Sequence, residues 1–200
     1  MKGMVNTVAK LYFKYGAMGS SKSAQALITK FNYEEKGMKV WLIKPSIDTR
    51  EDLEVVSSRI GLKAKCTPIF PDTSIWEAFE SQISRKIDVI IADESQFFTA
   101  EQIDDMRKIV DELSVPVLCF GLRTDFRTNF FEGSKRLFEV ADKLTEIKNI
   151  CECGRKAIVN ARIDDNGNVI TEGEQVLIGG EERYTAMCHN CWRKAIASQE

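Results

Sequence analysis

The 200-residue chain predicts an α/β fold, a parallel sheet flanked by helices, with a small zinc-bound subdomain towards its C-terminal end. Three observations carry this expectation. Short continuous apolar runs alternate with amphipathic stretches through the first three quarters, as in a parallel sheet covered on both faces. A glycine-serine loop, Gly16-Ala17-Met18-Gly19-Ser20-Ser21-Lys22-Ser23, stands between the first strand candidate and the first helix candidate. Two close cysteine pairs, Cys151 with Cys153 and Cys188 with Cys191, bracket the last part. The expected division is residues 1–150 as a nucleotide-binding domain and 151–200 as a zinc-binding subdomain with its tail.

Taken in order, Leu11 to Tyr15 predicts the first strand. Ser23 to Lys36 has helical spacing through Ala26, Leu27 and Phe31, and Gly37 stops it. Val40 to Ile43 predicts a buried strand. Asp48 to Gly61 is polar and predicts a loop. Ser74 with Glu77 forms a capping box ahead of Trp76, Phe79 and Ile83. Asp88 to Ala92 is a short apolar strand ending in Asp93-Glu94. Thr99 with Gln102 is a second capping box, and Ile103, Met106, Val110 and Leu113 mark one helix face. Pro116 opens a strand over Val117 to Phe120. A helix around Ser134 to Val140 and a strand over Lys143 to Ile147 follow. The alternation breaks at Cys151, and Asn166-Gly167 signals a turn between later strands.

Composition excludes several classes. The apolar share is 44% and the net charge −2, with Lys and Arg scattered, so the basic stripe of a nucleic-acid surface is missing. No apolar run approaches membrane-spanning length. Met1 to Ala9 lacks the apolar centre of a secretory signal. The expected location is the cytoplasm, where thiols stay reduced and paired cysteines point to metal. Cys66 and Cys119 read as ordinary buried thiols.

In a phosphate loop, glycines let backbone amides approach the oxygens, a lysine neutralises charge, and the next Ser or Thr binds magnesium. Gly16, Lys22 and Ser23 suit those roles. Ser21 replaces the glycine expected before the lysine, and fits if its backbone angles are ordinary there. Alone, the loop reads equally as a turn capping a helix. Asp93-Glu94 shifts that balance, because ligands of open α/β sheets bind at the carboxyl ends of strands. Asp93 suits magnesium, and Glu94 suits proton acceptance from a nucleophile. The chemistry is phosphoryl transfer or nucleotide hydrolysis, with the acceptor open.

Four thiolates on two short knuckles suit a closed, structural zinc site, and Gly154 permits the sharp turn after Cys153. His189 is the second-choice ligand. The segment between the knuckles reads as a nucleic-acid ribbon, a dimer arm or a lid. Its acids (Asp164, Asp165, Glu172, Glu174, Glu181 and Glu182) weigh against nucleic acid, and Gly179-Gly180 near Tyr184 suits a lid offering main-chain hydrogen bonds.

Together these segments resemble the zinc-containing cytosolic (type II) thymidine kinases of bacteria and animals, from Leu11 to about Lys194. The similar motifs are Gly16 to Ser23, Asp93 to Phe98, Gly121 to Phe126, Ile178-Gly179-Gly180 with Tyr184, and Val56 to Gly61. The resemblance implies a P-loop (RecA-like) sheet and transfer of the ATP γ-phosphate to the thymidine 5′-hydroxyl, in deoxynucleotide salvage for DNA synthesis. It implies Glu94 as the base, and an ATP site of Gly16, Ala17, Met18, Gly19, Ser20, Ser21, Lys22, Ser23, Asp93, Glu94, Ser95 and Gln96. Magnesium falls to Ser23 and Asp93. Thymidine falls to Met18, Leu122, Phe126, Gln175, Val176, Leu177, Ile178, Gly179 and Tyr184, the middle of these forming a lasso. Structural zinc falls to Cys151, Cys153, Cys188 and Cys191. Arg59 reads equally as a phosphate contact or a solvated arginine. A homotetramer and feedback inhibition by thymidine triphosphate are also implied. Shape alone discriminates a methyl weakly, so deoxyuridine is also expected to be accepted, more weakly if the pocket around Met18 and Leu122 favours the methyl.

Overall fold

The computed structural model describes residues 9–48, 52–81, 86–176 and 183–199. Its centre is a six-stranded, wholly parallel sheet. The strands are β1 (Leu11–Tyr15), β2 (Val40–Pro45), β5 (Thr67–Ile69), β6 (Val89–Ala92), β7 (Val117–Gly121) and β8 (Lys143–Glu146), in the order β5-β2-β6-β7-β1-β8. Strand β7 therefore lies between β1, which leads into the glycine-serine loop, and β6, which leads into Asp93.

Successive side chains on a strand point to opposite faces, and both faces here are buried. Leu11, Phe13, Ile90, Ala92, Val117 and Cys119 point to one core, shared with α2 (Ile75–Glu80), α3 (Ala100–Leu113) and α4 (Glu132–Val140). Val89, Ile91, Leu118 and Phe120 point to the other, under Ala26 and Leu27 of α1 (Lys22–Glu34). Every residue of β6 is fully buried, which explains its unbroken apolar run.

The helix signals have physical counterparts. The Thr99–Gln102 box forms in both directions, and Ile103, Met106 and Val110 are buried. Each such side chain contributes about 1.5–3 kcal/mol by leaving water. Leu113 is 39% exposed at the end of that face. Ser74 accepts from Glu77 N at 3.2 Å, while its own hydroxyl donates to Asp105 at 2.9 Å. Ile83 lies outside the described residues. A Cβ on Gly133 would stand 2.5 Å from Ser95 O and 2.7 Å from Phe98 O, so glycine lets α4 press against the turn that follows Glu94.

Val55–Ser57 departs from the expectation of a loop over Asp48 to Gly61, and two short strands that were not expected follow it. Val55–Ser57 (β3) pairs antiparallel with Lys63–Lys65 (β4), and β5 joins the sheet edge beside β2. Strands of three residues leave no periodicity to read, and Pro68 is tolerated in β5 because an edge strand has one side without ladder bonds.

Beyond β8, β9 (Asn149–Ile150) and β10 (Lys156–Ala157) form a hairpin around the first cysteine knuckle. Strand β11 (Val159–Ile163) pairs with β12 (Val169–Ile170) and β13 (Tyr184–Met187), and α5 (His189–Ala197) follows the second knuckle. Asn160 and Arg162 of β11 are buried. No helix among the described residues is long and apolar enough to cross a membrane.

Candidate active site

The loop after β1 is held against β7 by Gly16 N donating to Gly121 O at 3.2 Å. A Cβ on Gly16 would collide with Ile147 O and stand 2.5 Å from Ser20 Oγ, so this position requires glycine. Ser20 N returns to Ala17 O at 3.2 Å. Lys22 is buried, and its Nζ donates to Ala17 O at 2.9 Å and Ser20 Oγ at 3.4 Å. The ammonium thus folds back onto a carbonyl and a hydroxyl of its own loop.

Ser21 does not have ordinary angles. It sits at φ 63°, ψ 26°, left-handed, as the N-cap of α1 without a side-chain cap bond. A non-glycine residue there costs about 1–2 kcal/mol. The glycine geometry has been kept and the glycine has not.

Across β7, Asp93 follows β6 and is 3% exposed. Burial pushes its carboxyl up strongly, and the Glu94 charge adds to that. Hydrogen bonds from the Ser23 side chain and Glu94 backbone, and the charge of Lys22, pull the other way. Those contacts bring Lys22, Ser23, Asp93 and Glu94 into one cluster. Glu94 is left-handed too, at φ 49°. Its Oε2 accepts from Gln96 Nε2 at 2.6 Å, and Gln96 Oε1 accepts from Leu122 N at 2.9 Å. Ser95 is fully buried and donates to Ala92 O at 2.8 Å.

These groups open onto a cleft of about 660 Å³. Met18, Gly19, Ser21, Lys22, Ser23, Asp93, Glu94 and Leu122 line it. Gly16, Ala17, Ser20, Ser95 and Gln96 are not on its lining. Another part of its wall is Lys44, Asp48 and the stretch from Val55 to Ile60, Arg59 included. Lys44 is 2% exposed and holds that wall, donating to Asp52 O at 3.1 Å and Val55 O at 2.9 Å. A lysine inside an apolar strand was the available signal for it.

A second cluster forms around Arg162. Its guanidinium lies 3.8 Å from the Phe126 ring centre and 5.2 Å from that of Tyr184. Its Nε donates to Tyr184 Oη at 2.9 Å, and a terminal nitrogen does so at 2.6 Å. Gln175 O accepts from Arg162 at 3.4 Å, and Gln175 Nε2 donates to Asp125 Oδ2 at 3.0 Å. Phe126, Gln175 and Tyr184 are therefore gathered, but around Arg162 and not on the large cleft's lining. Val176 is half-buried beside Gln175. Leu177, Ile178 and Gly179 lie outside the described residues.

The four cysteine sulfurs lie within 4.8 Å of one another, with Cys153 Sγ 3.6 Å from Cys188 Sγ. Ligands around tetrahedral zinc at about 2.3 Å stand about 3.7 Å apart, so the arrangement could hold a metal. Gly154, at φ +82°, turns the first knuckle, and Gly154 N donates to Cys151 O at 2.8 Å. Cys191 N donates to Cys188 Sγ at 3.4 Å in the second. His189 lies against Trp192, with ring centres 5.5 Å apart and the rings tilted by 52°. Elsewhere, burial pushes the Cys119 thiol up to about 12 and the half-buried Cys66 thiol up to about 11. Both remain protonated thiols.

The model of the family described as thymidine kinase matches residues 9–192. The chain belongs to the thymidine kinase family. The thymidine kinase of Zymomonas mobilis is 46% identical over 182 residues, covering 90% of this chain and 94% of the relative. That of Legionella pneumophila strain Paris is 45% identical over 195 residues, covering 96% and 93%. That of Enterobacteria phage T4 is 44% identical over 188 residues, covering 94% and 97%. For a thymidine kinase family member, Lys44, Asn160 and Arg162 are the structurally prominent polar residues that motif reading passed over. For Asn160 and Arg162, the mark in the sequence was their place as the polar members of the Val-Asn-Ala-Arg-Ile run in β11.

Proposed function

We propose that this protein transfers the γ-phosphate of ATP to the 5′-hydroxyl of thymidine, giving thymidine 5′-monophosphate, and accepts deoxyuridine more weakly. The observation that carries this reading is the Ser23–Asp93 hydrogen bond, which joins the glycine-serine loop to the carboxylate pair. It puts a magnesium-type oxygen pair, a lysine and a second carboxylate around one cleft.

Backbone amides at the start of α1 bind the β- and γ-phosphates, helped by the helix dipole. Lys22 leaves Ala17 O and Ser20 Oγ to meet phosphate oxygen. Ser23 and Asp93 would hold magnesium, which would supply charge neutralisation on the phosphates when bound. The thymidine 5′-oxygen attacks phosphorus as the bond to the ADP oxygen breaks, and its proton passes to Glu94. Catalysis of this kind is mainly positioning and charge stabilisation. Residues 175–179 and Tyr184 cover the nucleoside and limit water entry, with Phe126, Met18 and Leu122 beside it.

The cysteine cluster holds structural zinc in this reading, and residues 151–200 act as a subdomain presenting the cover to residues 1–150. A cytoplasmic homotetramer inhibited by thymidine triphosphate completes the proposal. It is supported by family membership and by the closed four-thiolate set, which has no open coordination position. Product analysis tests it. Magnesium-ATP and thymidine should yield the 5′-monophosphate and ADP, and recovery of unmodified thymidine after ATP consumption would overturn it.

A further inference from the structure

We propose that Asn149 and Asn160 are positioning residues for the phosphate loop, gripping the Met18 peptide from both sides and so keeping the left-handed Ser21 turn in its ATP-accepting form. This inference rests on the ATP-binding reading of that loop.

Asn160 Oδ1 accepts from Met18 N at 2.8 Å, and Asn149 Nδ2 donates to Met18 O at 2.7 Å. Both backbone polar groups of one loop residue are thus taken by side chains more than a hundred residues away in sequence. Neither carboxamide is free to turn over. Asn149 Oδ1 accepts from Ile150 N at 2.8 Å, and Asn160 Nδ2 donates to Thr124 O at 2.8 Å. Flipping either would set donor against donor and acceptor against acceptor.

The loop has a specific need for such a grip. Gly19 at φ +74° and Ser21 at φ 63° are both left-handed, and only the first is a glycine. Ser21 has no side-chain cap bond to hold it. Released, it would relax to a right-handed or extended conformation, and the N–H groups heading α1 would turn with it. The Met18 peptide lies three residues upstream, where an external anchor resists that rotation. The anchors are themselves fixed near the cysteine cluster. Asn149 precedes Cys151 in the β9 hairpin, and Asn160 pairs with Ala186 of β13, which leads to Cys188. The C-terminal segment therefore does more than supply a cover; it sets the geometry of the loop.

The test compares the unmodified full-length chain with Asn149→Ala, Ser21→Gly and the double variant, measuring magnesium-ATP affinity by calorimetry and both KM values. Asn149→Ala should weaken ATP about tenfold, the equivalent of one hydrogen bond of about 1.4 kcal/mol. The thymidine KM is expected to rise as well, because the gripped residue, Met18, also stands beside the nucleoside in the proposed site. Adding Ser21→Gly should restore most of the lost ATP affinity, since glycine accepts positive φ without strain. Asn149→Asp, which sets a carboxylate against Met18 O, should act in the same direction if the alanine variant folds poorly. Unchanged ATP affinity in folded variants, or no restoration by Ser21→Gly, would each overturn the proposal. If the unmodified chain binds no ATP, the nucleotide reading fails first and the grip with it.

Discussion

Gln96 Nε2 donates to Glu94 Oε2 at 2.6 Å, while Gln96 Oε1 accepts from Leu122 N at 2.9 Å. The Leu122 amide fixes which way the carboxamide faces, so a neutral donor always points at Glu94. The carboxylate is thereby aimed by a side chain that is itself held in one orientation. Its left-handed backbone, at φ 49°, is the kind of local strain that surrounding structure holds in place at functional sites.

Glu94→Gln should cut turnover by about 10²–10⁴-fold, the usual contribution of general base catalysis. ATP and thymidine affinities should change by less than about threefold, because positioning groups remain. Steady-state kinetics with calorimetry reads both; near-normal turnover would remove Glu94 as the base.

Gly121→Ala tests the aiming of that carboxylate. The added Cβ would stand 2.8 Å from Gln96 Oε1 and 3.1 Å from Gln96 N, both buried and pinned. Overpacking of this kind costs about 1–3 kcal/mol. Denaturant unfolding should show the loss, and kcat should fall more than KM changes. A variant with unaltered stability and kcat would show that Gln96 can move freely.

The elements that proved legible were those with period and punctuation. The apolar runs of β6 and β7 and the Thr99–Gln102 box mapped directly onto buried strands and a capped helix. The β3–β4 hairpin did not, because its strands are three residues long, too short for an alternation such as Lys63-Ala64-Lys65 to stand out. At the site, residue identities were readable but backbone angles were not, so Ser21 could be noticed and its φ could not. Arg162 was missed for a related reason. Its placement between Phe126 and Tyr184 depends on strand pairing between β11 and β13, which no local pattern announces.

Asp93→Asn should separate stability from function. In the unmodified metal-free chain, burial first and then Glu94 raise the Asp93 pKa above its unfolded value. Such a group supports the fold below the ordinary carboxylate range, and that support is lost as pH rises through the raised folded value. The unmodified chain should therefore lose thermal stability across that window, and Asp93→Asn should lose less. At pH 8 the variant should melt a few degrees higher, since about 1 kcal/mol shifts Tm by about 2–4 °C at this size, while activity is abolished. A variant melting lower than the unmodified chain at pH 8 would contradict the assigned cost of burying this charge.

Cys188→Ser removes one buried sulfur of the cluster and the acceptor of Cys191 N. Metal content should fall from about one zinc per chain, as expected for a four-ligand site, to a small fraction. The Tm should drop, and chelation of the unmodified chain should reproduce the drop. Full stability and activity without metal would show that the zinc is dispensable.

The most direct measurement is ADP release from magnesium-ATP by the purified chain, with and without thymidine, followed against thymidine consumed. The account predicts release that requires thymidine and matches its consumption mole for mole. Release at the same rate without thymidine would contradict it.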